Sequence, residues 1–187
     1  KAGGYPTVSL ECDQLEEVYL AHGNEAQLQW ASPLDMFVVE TMQVSIFIAA
    51  PENTRALSSI EPAWQQTRQL AYRQWMDTHM RRSASGDLRW VMTNYPCLAL
   101  AQEAEMSLAD YEDFVFGATF ADQPDPVGCW QQLHAEQERL VKWLAGKKTL
   151  TIRGSHADLT LSIEGRKFVN SAGDQNMPSG EIFTGPV

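Results

Sequence analysis

The sequence has 187 residues, with 24 acidic against 14 basic side chains and a formal charge of -10. That balance repels phosphate backbones and anionic lipid surfaces alike, so neither nucleic acid nor membrane is expected as a partner. Hydrophobic residues at 44% and charged residues at 20% are ordinary globular usage and exclude disordered and fibrous classes.

The chain opens on Lys1-Ala2-Gly3-Gly4, which reads as the end of a helix: a cation, then glycine free to take the left-handed capping conformation. Thr7 to Leu10 is a strand candidate, and Asp13 to His22 carries Leu15, Val18 and Tyr19 at helical spacing. A second helix is expected from Leu34 to Met42. It leads into Val44 to Ala50, a short β-branched apolar run that fits a buried strand and falls far short of the roughly 20 residues of a membrane-spanning helix. Ser59 as N-cap and Pro62 in the first turn open a long helix with Trp64, Ala71, Trp75 and Met76 on its stripe, closed by Arg81, Arg82 and Gly86. Leu88 to Thr93 is the next strand.

Ser107 with Asp110 three residues on resembles a capping box for a helix bearing Tyr111, Phe114, Val115 and Ala118. Asp125 at the cap and Pro126 at the first helical position start another, with Val127, Trp130, Leu133, Val141 and Leu144 as its stripe and Gly146 as its stop. From Lys148 the period changes to two, through Leu150, Ile152, Leu159, Leu161, Ile163 and Phe168, as in antiparallel strands. Glu181 to Val187 reads as a strand and a turn signal with nothing after it, so both ends look cut.

The pattern predicts an α/β chain: a layered domain over residues 1–146, with a mostly parallel sheet flanked by helices and its preceding helix absent, then an antiparallel β segment over 147–187 that begins a second domain. The chemistry-bearing residues are sparse. No glycine-rich phosphate loop follows any strand, and there is no G-x-S-x-G elbow. Gly154-Ser155-His156 reads as a polar turn rather than a catalytic pair. His22, His79, His134 and His156 show no metal-ligand spacing, and His134 reads as a half-buried structural residue. Cys12, Cys97 and Cys129 form no C-x-x-C pair, which fits free buried thiols in a reducing, cytoplasmic setting.

One segment stands apart. Pro178 and Gly180 make a tight turn that delivers Glu181 to the start of the apolar Ile182-Phe183 strand, where a carboxylate would be partly desolvated. Read from the residues alone, this is a turn glutamate accepting backbone hydrogen bonds or one ligand of a cation.

Asn176-Met177-Pro178-Ser179-Gly180-Glu181-Ile182-Phe183-Thr184-Gly185-Pro186 closely resembles the N-x-P-(T/S)-x-E-(V/I)-F-T-x-P segment of M29 aminopeptidases, the thermophilic aminopeptidase family. Arg89-Trp90 with Tyr95-Pro96, Met106-Ser107, Asp125-Pro126-Val127 with Trp130, and Asp158-Leu159-Thr160 fall in similar order. The family often has glutamate where this chain has Gly180. The resemblance implies a metallo-aminopeptidase that releases N-terminal residues from peptide substrates by metal-activated water, with two divalent ions per site (zinc, cobalt or manganese); the thiols place it in the cytoplasm, and an α/β domain exposing the surface that normally meets the carboxy-terminal half is expected to self-associate as a homodimer. The resemblance makes Glu181 a metal ligand and places the general base and remaining ligands after this chain, which implies an incomplete and inactive fragment. The alternative is a non-catalytic α/β interaction module derived from the peptidase fold.

Overall fold

The computed structural model describes residues 3–185. The helix end read at Lys1-Ala2 and the last residues of the motif, Pro186 and Val187, lie outside them. The chain divides into two compact units. One holds the residues up to Ser45 with Ala50–Arg89 and Pro96–Leu108; the other holds Ile46–Ala49, Trp90–Tyr95 and the chain from Ala109 on.

The first unit is helical. Its helices are α1 (Asp13–His22), α2 (Glu25–Leu28), α3 (Pro33–Thr41), α4 (Pro62–Ala71), α5 (Arg73–Ser85) and α6 (Leu98–Glu103). Asn24 caps α2 with a reciprocal capping box, its side chain accepting from the Gln27 N–H while the Gln27 side chain accepts from the Asn24 N–H. Ser32 precedes Pro33 and accepts the Asp35 N–H at the start of α3. Leu20, Leu28, Val39, Leu88, Ala99 and Ala101 form the buried apolar set here. Arg82 of α5 donates to the carbonyls of Val39 (2.9 Å) and Met42 (2.8 Å), satisfying acceptors that the C-terminus of α3 leaves free. Arg68 of α4 lies between the rings of Tyr19 (4.6 Å) and Tyr72 (4.5 Å) and donates to the Trp30 carbonyl.

The long helix expected after Pro62 is two, broken at Tyr72, and Ser59 does not cap it: Glu61 precedes Pro62 and makes no side-chain cap. The stop is as read, with Gly86 left-handed at φ 80°. Residues 3–12 are exposed and belong to no strand, so Thr7 to Leu10 remains unpaired.

The α/β class is as expected. Strands β1 (Val44–Ala49), β2 (Arg89–Asn94) and β6 (Asn176–Met177) form one sheet in that order. β2 and β6 run parallel, with Met92 opposite Asn176 and Thr93 opposite Met177. The Arg89 N–H to the Gln43 carbonyl and the Tyr95 N–H to the Ala49 carbonyl keep one sequence offset, as parallel neighbours do. β1 is not the buried strand its composition suggests. It lies at the sheet edge with Ile46 66% and Ile48 60% exposed.

The second unit contains most of this sheet with α7 (Leu108–Ala118), α8 (Pro126–Leu144) and two antiparallel pairs. Asp125 caps α8 by accepting the Gly128 N–H, with Pro126 at the first position, as the sequence dictates. β3 (Thr149–Gly154) and β4 (Ala157–Ser162) form a hairpin whose turn is Ser155-His156. Its register puts Leu150 opposite Leu161 and Ile152 opposite Leu159, so one face is aliphatic, while threonines and the Arg153–Asp158 pair occupy the other. The second pair is β5 (Val169–Ser171) with β7 (Glu181–Phe183), which packs against α8. β6, inside the same stretch, departs from the antiparallel expectation by joining β2.

Candidate functional site

Glu181 is the first residue of β7, at the end of a loop, residues 172–180, that several contacts hold closed. The Gly173 N–H donates to the Ser179 hydroxyl oxygen (2.7 Å), and the Gly180 N–H donates to the Ser171 carbonyl (3.0 Å). At the far side of the loop the Met92 N–H donates to the Gln175 carbonyl (2.7 Å), continuing the β2–β6 pairing. Both glycines are left-handed, Gly173 at φ 87° and Gly180 at φ 90°, so each suits a position where a Cβ is strained. They are also crowded: a Cβ on Gly180 would stand 3.3 Å from Leu133, and one on Gly173 would stand 2.8 Å from the Met177 methyl and 3.5 Å from the Trp130 ring.

The wall behind the loop is α8. Trp130 donates its indole N–H to the Thr119 carbonyl (2.9 Å) and meets the Phe120 ring edge-on at 5.3 Å. One turn further, Asn170 of β5 donates to the His134 carbonyl (3.0 Å) and stands 3.4 Å from a Glu138 carboxylate oxygen. Asn170 pairs with Ile182, and Ser171 pairs with Glu181. Because side chains alternate along strands, Asn170 and Ile182 face the helix, and Ser171 and Glu181 face away from it.

Glu181 is exposed, so the partial desolvation expected for its carboxylate is not found. The neighbouring Phe183 (46% exposed) and Val169 (47% exposed) pair across the same strands. An exposed carboxylate on a fixed strand end is a suitable hard oxygen donor for a divalent ion. Among the described residues, however, no three His, Cys, Asp or Glu side chains gather as a metal-binding group. A lone carboxylate is not a coordination shell, which in catalytic zinc sites needs about three protein ligands.

His22, His134 and His156 are exposed, so His134 is not the half-buried residue expected. His79 is the buried one. It stacks on Trp75 at 5.2 Å, and burial pushes its pKa below the ordinary 6.5. The three thiols are free, as read, but Cys12 is exposed and Cys97 and Cys129 only half-buried.

In the first unit, an open depression of about 640 Å³ lies beside Asp13, Glu16, Arg55 and Gln65. Its polar groups are engaged in holding the loop after β1. Asp13 accepts the Glu52 N–H, Arg55 pairs with Glu103, and Gln65 donates to the carbonyls of Leu57 and Ile60. No helix among the described residues is long and apolar enough to cross a membrane.

The position of Glu181 was legible from Pro178, Gly180 and the apolar strand that follows. The Ser179 clasp was not, because its donor is a backbone N–H with no sequence mark.

The geometry can be set beside known proteins. The family profile described as thermophilic metalloprotease (M29) matches residues 1–187. Among solved structures, wild-type AmpT from Thermus thermophilus is similar in fold, with a TM-score of 0.70 and 17% identity over 92% of this chain. The match covers 47% of the AmpT chain, so the present sequence spans about half its length. No curated protein gives a significant match. The chain belongs to the thermophilic metalloprotease (M29) family.

Proposed function

We propose that this chain is the part of a metal-dependent aminopeptidase that supplies Glu181 as one ligand of a divalent metal centre. The observation that carries the reading is the Asn176–Pro186 segment, whose single carboxylate stands exposed at the end of a clasped loop. In a complete site, two divalent ions (zinc, cobalt or manganese) supply Lewis acidity and acidify a water at neutral pH. The part of this chain is to present the Glu181 oxygens at a fixed place and to hold the loop behind them. Residues 1–146 are then the amino-terminal-type domain, and 147–187 open the carboxy-terminal one. The substrate is a peptide with a free amino terminus, and the working enzyme is a cytoplasmic homodimer.

In the same reading, the 187-residue polypeptide by itself does not cleave peptides, because one carboxylate in water holds a divalent ion only weakly. The test is metal content and leucine chromogenic-substrate turnover, measured on this chain and on the complete open reading frame, each with and without Glu181→Gln. We expect turnover and bound metal from the complete reading frame, their loss in Glu181→Gln, and neither from the 187-residue chain. Turnover by this chain alone would refute its inactivity. Metal and activity unaffected by Glu181→Gln would refute the ligand, and a complete product with neither would favour a non-catalytic interaction module.

A further inference from the structure

Among the described residues, the Gly180 N–H to Ser171 carbonyl and Met92 N–H to Gln175 carbonyl bonds at the 172–180 loop join backbone to backbone, whereas the Gly173 N–H to Ser179 Oγ bond depends on a side chain. It is also short, at 2.7 Å, and Ser179 is half-buried, with its hydroxyl oxygen on the Gly173 N–H across the loop. A Cβ on Gly173 would stand 3.5 Å from the Trp130 ring and one on Gly180 3.3 Å from Leu133, so two points of the loop lie against α8. Ser179 ties those points together: its oxygen bonds Gly173, and its carbonyl carbon is bonded to Gly180, which in turn bonds Ser171, the residue opposite Glu181.

We propose that Ser179 is a positioning residue, whose hydroxyl sets the place from which the Glu181 carboxylate leaves the strand. The proposal rests on the reading of Glu181 as a metal ligand. Without the hydroxyl, the Gly173 N–H loses its acceptor and the end of the loop is free to shift by a fraction of an ångström. Metal ligands tolerate displacements of only about 0.5 Å, and loss of a group that orients a ligand lowers metal affinity about 10- to 100-fold. Threonine keeps the oxygen at the same place on the chain, so it should preserve the clasp.

The experiment is a titration with Co²⁺, followed by its visible absorption, of the complete open reading frame carrying Ser179→Ala, Ser179→Thr or Glu181→Gln, beside the unsubstituted protein. Hydrogen exchange at the Gly173 amide of the 187-residue chain is measured in parallel. We expect Ser179→Ala to weaken Co²⁺ binding about tenfold, to shift the absorption band and to speed exchange at Gly173 with the melting transition retained. Ser179→Thr should restore all three. Unsubstituted affinity in Ser179→Ala beside weakened binding in Glu181→Gln would overturn the positioning role and leave the ligand standing. Unsubstituted affinity in both would remove the ligand, and the proposal with it. A Ser179→Thr protein as weak as Ser179→Ala, or a Ser179→Ala protein that fails to fold, would also overturn it, since either outcome denies a role confined to placing the carboxylate.

Discussion

Tyr72 donates its hydroxyl hydrogen to Asp35 over 2.8 Å, joining the break between α4 and α5 to the first turn of α3. Burial, followed by the bond to Asp35, raises the Tyr72 pKa above its ordinary 10.0, although Arg68 opposes the shift. A raised pKa means that the native state favours the protonated form. Its stabilisation is therefore complete below pH 10.0 and is lost as pH rises through the higher native value. Tyr72→Phe should cost about 1–2 kcal/mol at neutral pH and should abolish this component of the alkaline loss, measured as the urea midpoint from pH 8 upward.

His79 behaves in the opposite sense. Burial against Trp75 lowers its pKa below 6.5, so the native state prefers the neutral ring and the unfolded chain binds the proton more readily. Its contribution is complete above pH 6.5 and falls away as the solution is acidified through the native value. Relative to a His79→Gln protein, the unsubstituted protein should lose urea resistance between pH 8 and 5. Parallel curves for the two would contradict this account.

Two glycines should respond in opposite directions to alanine. Gly173→Ala places a Cβ on a left-handed residue beside Met177 and Trp130; the Met177 methyl can move aside but the backbone strain stays. The expected loss is about 1–2 kcal/mol. Gly117, inside α7, has open space where a Cβ would stand, with no neighbouring atom within 4 Å, and the substitution there should stabilise by about 0.5–1 kcal/mol. Thermal melts of both variants decide the pair.

A short ion pair need not be a valuable one. Lys148 and Glu164 approach to 2.7 Å, but their side chains are 73% and 61% exposed. Water and salt screen them, so Lys148→Met should change stability by less than about 1 kcal/mol. A double-mutant cycle with Glu164→Gln that gave a larger coupling would show that the β3–β4 region is better shielded than its exposure indicates.

What the sequence discloses depends on whether a signal is local. Asp125 and Pro126 set the start of α8 through bonds and angles within one turn, and Gly86 ends α5 for the same reason. The alternation from Leu150 to Leu161 gives the hairpin register because both strands adjoin one turn. Thr7 to Leu10 has strand composition but no neighbour, and composition cannot supply one. The apolar residues of β1 suggest burial, yet the strand lies at an edge that only the sheet order reveals. At the candidate site, Pro178 and Gly180 announce the turn before Glu181, whereas Asn170 on His134 and Ser179 on Gly173 join side chains to backbone atoms of residues that any sequence could hold there.

The pairing of Met92 with Asn176 has a kinetic consequence. Closing a long loop carries an entropic penalty that grows with the logarithm of its length, and contacts between distant residues slow folding. As the chain leaves the ribosome, β2 is synthesised long before β6, and α7, α8 and the β3–β4 hairpin lie between them. The helices and the hairpin can form early from neighbouring residues, but that side of β2 must wait, its amides satisfied by water, until the segment leading to Glu181 has been made. The sheet and the clasped loop are therefore completed in one late event.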